Sequence, residues 1–238
     1  MSPNPQPFIL HLQAEGYHPR SDKHSNVLAE AIAADLVRHC AIIGERAAKG
    51  AVVYDVNFTL RAGTADWNVD LVLGKPELGT APPAAGAPIL RRRPSTVEIA
   101  IEIKSIMTEH HKAAKNRKRD LDAHHDHVHN YSSLAIAGGV FVINAASAFR
   151  SPLRSETTTH RNPRALVEHC IDQLRAVASR AGTVGSGLDA RCAIVVSANN
   201  VNLTASAFVT TPPAPQIGDP LHYDAFIQAI CAAYSARF

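Results

Sequence analysis

The chain has 238 residues, 46% of them hydrophobic and 19% charged, with a formal net charge of +3. That length suits one large domain with a substantial core, and the balance is that of a globular protein, not a disordered or collagenous one. It contains no apolar run near the roughly 18 residues that a membrane span needs, so no membrane partner is expected, and its mild basicity permits a nucleic-acid partner without requiring one.

Residues 1–22 read as an irregular, proline-rich arm. From about Ser25 to Lys49 the alanine-, leucine- and isoleucine-rich sequence reads as one helix, with Asp22 or Ser25 as its cap and Gly50 as its stop. AVVYDVNFTLR is the clearest strand: Val52, Tyr54, Val56, Phe58 and Leu60 alternate with Val53, Asp55, Asn57, Thr59 and Arg61. After a turn at Ala62-Gly63, DWNVDLVLG sets Trp67, Val69, Leu71 and Leu73 on one face and Asn68 and Asp70 on the other. These two strands are expected to pair antiparallel. Residues 75–90, rich in proline, glycine and alanine, read as a long loop. TVEIAIEIKS is the third strand, with Val97, Ile99, Ile101 and Ile103 toward the core and Glu98, Ala100, Glu102 and Lys104 opposite.

Over residues 107–135, Met107, Ala114, Leu121, Val128 and Ala135 recur every seventh position, a narrow apolar stripe on a basic, histidine-rich helix. GGVFVINAA and RCAIVVSA read as buried strands separated by an amphipathic helix over 163–181, and HYDAFIQAICAAYSARF as a closing helix. The order α-β-β-β-α-β-α-β-α predicts an α/β fold, a mixed β-sheet sandwiched by helices. It is read as a single domain, with a core over 25–145 and an α-β-α extension over 146–238. The opening residues lack a secretory signal, and Cys40, Cys170, Cys192 and Cys231 are too scattered for a metal-ligand pair. Reduced, mostly buried thiols and a cytoplasmic address are therefore expected.

Side chains two apart on a strand share a face, so Glu102 and Lys104 stand side by side. With Asp70 on the polar face of a neighbouring strand, two carboxylates and one ammonium converge. Such a carboxylate pair suits a hard divalent ion that keeps several waters, while the lysine orients the attacking water and offsets phosphate charge.

An acid on one strand followed by Glu102-Ile103-Lys104 on the next resembles the signature of the PD-(D/E)xK nuclease superfamily, and the α-β-β-β-α-β order is similar to that family's core. The resemblance covers residues 25–145. It implies a restriction-endonuclease-like fold and an endonuclease that needs Mg²⁺, with Mn²⁺ as a substitute, and no organic cofactor. The implied substrate is double-stranded DNA, cut as by a type II-like restriction enzyme acting as a homodimer. It further implies metal binding at Asp70, Glu102 and Ile103, catalysis by Lys104, and an acid from the first helix. Glu30, among Val27, Ala31, Ala33 and Ala34, is the candidate for that acid. Val69 stands where the family usually has proline. Asp55 and Asp66 are rivals for the first acid, and Glu98 is a further ligand or base candidate. The competing expectation for Glu102 and Lys104 is an exposed cross-strand ion pair contributing about 0–1 kcal/mol.

Lys112, Lys115, Arg117, Lys118 and Arg119 follow Lys104 closely and are expected to lie along the DNA backbone, with Arg154 and Arg161 as further contacts. The plainer alternative is a solvated face paired with Asp120 and Asp122. His125 and His129 have a workable metal spacing, but no cysteine or second pair completes a zinc site with His124 and His127, so phosphate contact or solvent exposure is expected. A His-Asn-His nuclease site at His129 and Asn130 would want a short hairpin that is lacking. Trp67 is expected in the core. Two functional alternatives remain: a non-catalytic or repair-associated DNA-binding protein of the same fold, and a nuclease for branched DNA or RNA.

Overall fold

The computed structural model describes residues 4–62, 65–79, 81–84 and 87–238. The turn expected at Ala62-Gly63, the first three residues of the arm and residues 80, 85 and 86 of the loop fall wholly or partly outside them.

Three helices open the chain: α1 (Gln6–Glu15), α2 (Lys23–His39) and α3 (Ala41–Ala48). The expected irregular arm is corrected by α1. Pro5 and Pro7 sit at its start, where prolines cost no helical hydrogen bond, and Phe8, Ile9 and Leu12 bury one face. The single helix expected from Ser25 to Lys49 is two. Cys40 takes an extended conformation between them, and a Cβ on Gly44 would lie 2.7 Å from the Val37 carbonyl oxygen, so glycine permits the close turn.

Next come β1 (Val53–Ala62), β2 (Ala65–Gly74), the two-residue β3 (Leu90–Arg91) and β4 (Ile99–Ile106). Helix α4 (His110–Tyr131), β5 (Ile136–Asn144) and a small hairpin of β6 (Ala148–Arg150) and β7 (Thr157–Thr159) follow. The chain closes with α5 (Pro163–Arg175), β8 (Ala190–Ser197), β9 (Ala207–Phe208) and α6 (Tyr223–Arg237). Among the described residues the main sheet has seven strands in the order β3-β1-β2-β4-β5-β8-β9. Strands β1, β2 and β4 are antiparallel neighbours, whereas β4, β5 and β8 run parallel. The fold is thus mixed α/β with helices on both faces. No helix among the described residues is long and apolar enough to cross a membrane.

One face of the sheet packs Leu71, Leu73, Ile99, Ile101 and Ile103 against α1, α2, α3 and α6. The other packs Phe58, Val69, Ala100, Phe141 and Ile143 against α4 and α5. The stripe every seventh residue is buried throughout, although the helix carrying it spans only 110–131.

The expected alternation in β1 and β2 is corrected midway. Val52 and Val56 join the first face but Phe58 and Leu60 the second; Leu71 and Leu73 join the first but Val69 the second. The register is unchanged across the switch, from Val56↔Leu71 to Phe58↔Val69, which sets Asn57 opposite Asp70. Asn57 has φ +54°, a left-handed conformation that asparagine tolerates and that rotates the chain onto its other face. A second phase change at the start of β4 sends Val97 to the α4 side, and Glu98 to Arg46 of α3 and Tyr234 of α6.

Leu121 is fully buried against Gly139, where an added Cβ would meet its methyl at 3.1 Å. Leu121→Ala should cost about 2–5 kcal/mol. Urea denaturation would show this as a lower midpoint at unchanged slope.

Candidate active site

Strands β2 and β4 pair only from Leu71↔Ile101 to Leu73↔Ile99. Continued one step, that register would set Asp70 opposite Glu102, but the ladder ends there and the strands fork. In the fork the Ile103 N–H donates to Asp70 Oδ2 at 2.7 Å, so a side-chain carboxylate takes the place of a strand carbonyl. Asp70 and Glu102 thereby become electrostatic neighbours, each with Lys104 acting on it.

Glu102 is 3% exposed. Its Oε1 is ion-paired with Lys104 Nζ, and its Oε2 is buried without a hydrogen-bond partner. Behind it, fully buried His124 directs Nε2 at the Ala100 carbonyl oxygen at 3.3 Å. Because a carbonyl only accepts, Nε2 carries the proton, and the bare Nδ1 stands 3.9 Å from Glu102 Oε2. Burial pushes His124 down to about 3, so the ring is neutral and supplies no counter-charge. Burial, and then the charge of Asp70, raise Glu102 to about 7, with Lys104 opposing. Asp70 is also raised, again by burial first; the Ile103 N–H, Lys104 and the Ser25 hydroxyl pull it back.

The expected exposed ion pair between Glu102 and Lys104 is corrected in its setting. They are paired, but the pair is buried, so it is no solvated surface bridge. The donor chemistry suits a hard divalent cation. Two carboxylates share one region, an orphaned oxygen needs a positive partner, and the ammonium only partly offsets the charge. Asp70 and Glu102 are the groups that would hold it, with Ile103 fixed between them. Among the described residues no three His, Cys, Asp or Glu side chains already form a metal shell, so the remaining ligands would be water, as is usual for magnesium.

Lys104 also lines a polar cavity of about 150 Å³ shared with Tyr17, Ser21, His24, Ser25, Ser105 and Arg117. His24, lowered to about 4 chiefly by burial, accepts from the His18 N–H and stacks on Tyr17, forming the wall. Apart from Ser105 of β4, these groups come from the opening arm, the first turn of α2 and one turn of α4. Sequence periodicity pointed to none of them except Arg117. Asp22 completes the set: it receives the Asn57 amide at 2.8 Å, which ties α2 to the switch opposite Asp70. Comparison with known proteins finds no matching family model, no matching curated protein and no matching solved structure.

The other sequence candidates lie elsewhere. Glu30 is 42% exposed and paired with Arg91 at 2.7 Å, not in the apolar setting its neighbours suggested, because the alanines flanking it turn inward. Glu98 is not on the face of Glu102: Arg46 grips it in a bidentate pair and Tyr234 donates to it. Asp55 Oδ1 accepts from the Val56 N–H, and Asp66 is an exposed partner of Arg61. Arg117 pairs with Asp120 and Lys118 with Asp122, whereas Lys112, Lys115 and Arg119 are exposed. Arg154 pairs with Glu109, and Arg161 is exposed. His125 hydrogen-bonds Ser186, His127 stacks on Trp67 and His129 binds the Gly187 carbonyl, so the histidine run is packing rather than a solvated surface.

The sign of the Glu102 effect follows from linkage. Between its ordinary 4.5 and the folded value near 7 the unfolded chain binds fewer protons at this carboxyl than the folded one does, so its contribution to stability falls as pH rises. His24 and His124, held neutral, slope the opposite way. The stability difference between wild type and Glu102→Gln, without divalent ions, should therefore move against wild type from about pH 5 to about pH 8. Urea titrations at several pH values check this; a flat difference refutes the raised carboxyl.

Proposed function

We propose that the protein is a divalent-metal-dependent endonuclease that hydrolyses phosphodiester bonds of double-stranded DNA. The observation that carries the reading is the fork, where Asp70, Glu102 and Lys104 meet beside a cation-lined polar cavity. The strand order supports it as well. The run β1-β2-β4-α4-β5 has an acid on its second strand and Glu-x-Lys on its third, the arrangement that the PD-(D/E)xK resemblance implies.

When bound, Mg²⁺ or Mn²⁺ would polarise the scissile phosphoryl group and acidify a water molecule. The protein's own groups do the rest. Lys104 Nζ, at the cavity wall, orients the attacking water and faces the charge that grows on the phosphate. Glu102, raised to about 7 chiefly by burial when no cation is bound, would give up its proton as it takes the metal. Arg117 and the serine hydroxyls of the cavity bind non-bridging phosphate oxygens. Lys112, Lys115 and Arg119 extend positive charge along α4 for the flanking backbone, and Arg154 and Arg161 lie beyond its start. Cutting both strands at one place calls for two copies of the chain. The depth of Glu102 favours the second reading, a DNA-binding protein of this fold without catalysis.

Lys104→Ala should lower cleavage of mixed plasmid DNA by at least about 10²–10³-fold while DNA binding persists. EDTA should stop the wild type in the same assay. Undiminished cutting by the variant would remove the mechanism, and a wild type that binds but never nicks DNA under Mg²⁺ or Mn²⁺ would establish the binding reading.

A further inference from the structure

At the far end of α4, away from the fork, four histidines gather. His110 and His111 open α4, His160 follows β7, and His169 lies on α5. The rings of His110 and His160 meet edge to face with centroids 4.6 Å apart, and those of His111 and His169 are 4.4 Å apart. His110 and His160 are 2% and 5% exposed, and both line a cavity of about 360 Å³ with Glu109, His111, Thr158 and Thr159.

The hydrogen bonds fix the tautomers. His110 Nε2 is 2.7 Å from the Asn144 carbonyl oxygen, and His160 Nδ1 is 2.6 Å from that of Ala146. Each of these nitrogens must be the protonated one. The second nitrogens, His110 Nδ1 and His160 Nε2, are therefore bare lone pairs, and both are buried without a partner. His169 repeats the pattern: it has a backbone hydrogen bond to His111, and its Nε2 is buried and unpartnered. Leaving a buried acceptor empty is costly, and two of these, on His110 and His160, belong to rings that touch each other and line one cavity. A neutral imidazole whose far N–H is held by a backbone carbonyl is how a metal-binding histidine is prepared, since the carbonyl sets the tautomer and aims the lone pair.

We propose that this cluster binds a first-row transition-metal ion of the zinc class, with His110 Nδ1 and His160 Nε2 as the anchoring ligands. Imidazole nitrogen suits such an ion, whereas the carboxylate pair at the fork suits magnesium. The rest of the shell falls to water and to Glu109 and His111, exposed at the mouth and able to change rotamer.

The test uses the full chain, free of any affinity tag, stripped with EDTA and titrated with Co²⁺ and then Zn²⁺. Visible Co²⁺ absorption and metal analysis after gel filtration are the readouts. One equivalent of Zn²⁺ is expected in the wild type and in Asp70→Asn. The His110→Ala/His160→Ala protein should bind at least about 10–100-fold more weakly, the loss that follows removal of even a supporting partner. Absence of stoichiometric metal in the wild type, or equal uptake by the double variant, overturns the proposal. Should circular dichroism show the double variant unfolded, His160→Gln replaces it, and undiminished binding there is equally fatal. Because Asp70→Asn disables the fork alone, failure of the nuclease reading leaves this result intact.

Discussion

The contact on which the site depends is the hydrogen bond from the Ile103 N–H to Asp70 Oδ2. A central strand that loses its neighbour leaves a buried donor empty, at about 1–3 kcal/mol. Here the ladder between β2 and β4 stops after Leu71↔Ile101, and the carboxylate fills the place the next strand carbonyl would have taken. The fork is stable because the residue at its apex carries its own acceptor. The same substitution of side chain for backbone draws Asp70 up to Glu102, where its charge adds to the burial that chiefly raises that carboxyl.

That neighbourhood is poor design for stability alone. A buried ion pair seldom repays the desolvation of its members, and apolar residues of similar volume would often do better. Glu98 shows how this fold satisfies a buried carboxylate when structure is the purpose: Arg46 holds both oxygens and the Tyr234 hydroxyl adds a third bond. Glu102, four residues on and about as deeply buried, has one cation on one oxygen and nothing on the other. The contrast between two buried carboxylates four residues apart is the strongest physical argument that Glu102 is kept for something other than holding the sheet.

Much of this was legible in the sequence. Alternating isoleucines marked β4, and the stripe from Met107 to Ala135 marked the buried side of α4, because both patterns follow directly from element period. The convergence of Asp70 with Glu102 and Lys104 needed only the assumption that their strands pair. What periodicity could not show was where it changes phase. One residue at φ +54° moves Phe58 and Leu60 to the other face, and no count of apolar residues signals it. Glu98 was misplaced for the same reason: its parity with Glu102 holds only within the strand, which begins at Ile99. The arm was misread because its prolines precede a helix instead of preventing one, and with it went Tyr17 and Ser21 of the cavity. The histidine cluster at His110 and His160 joins residues 50 positions apart, beyond any local spacing rule.

Helix α4 ties these features together. His110 at its start belongs to the histidine cluster, Arg117 lines the cavity beside Lys104, and His124 closes off the back of Glu102. From His110 to His124 is about 21 Å along the axis at 1.5 Å per residue. A packed helix moves as a unit, so a shift or rotation that suits one end is imposed on the other. The stripe of Ala114, Leu121 and Val128, fully buried against the sheet, resists such a shift. The N-terminal turn has no comparable anchor: Glu109 has φ +52° and no side chain caps the helix. What holds that end is the bond of His110 to the carbonyl of Asn144, the last residue of β5. The position of Arg117 over the cavity is therefore set from both directions, by apolar packing toward the C-terminus and by the single imidazole–carbonyl bond of His110 toward the N-terminus.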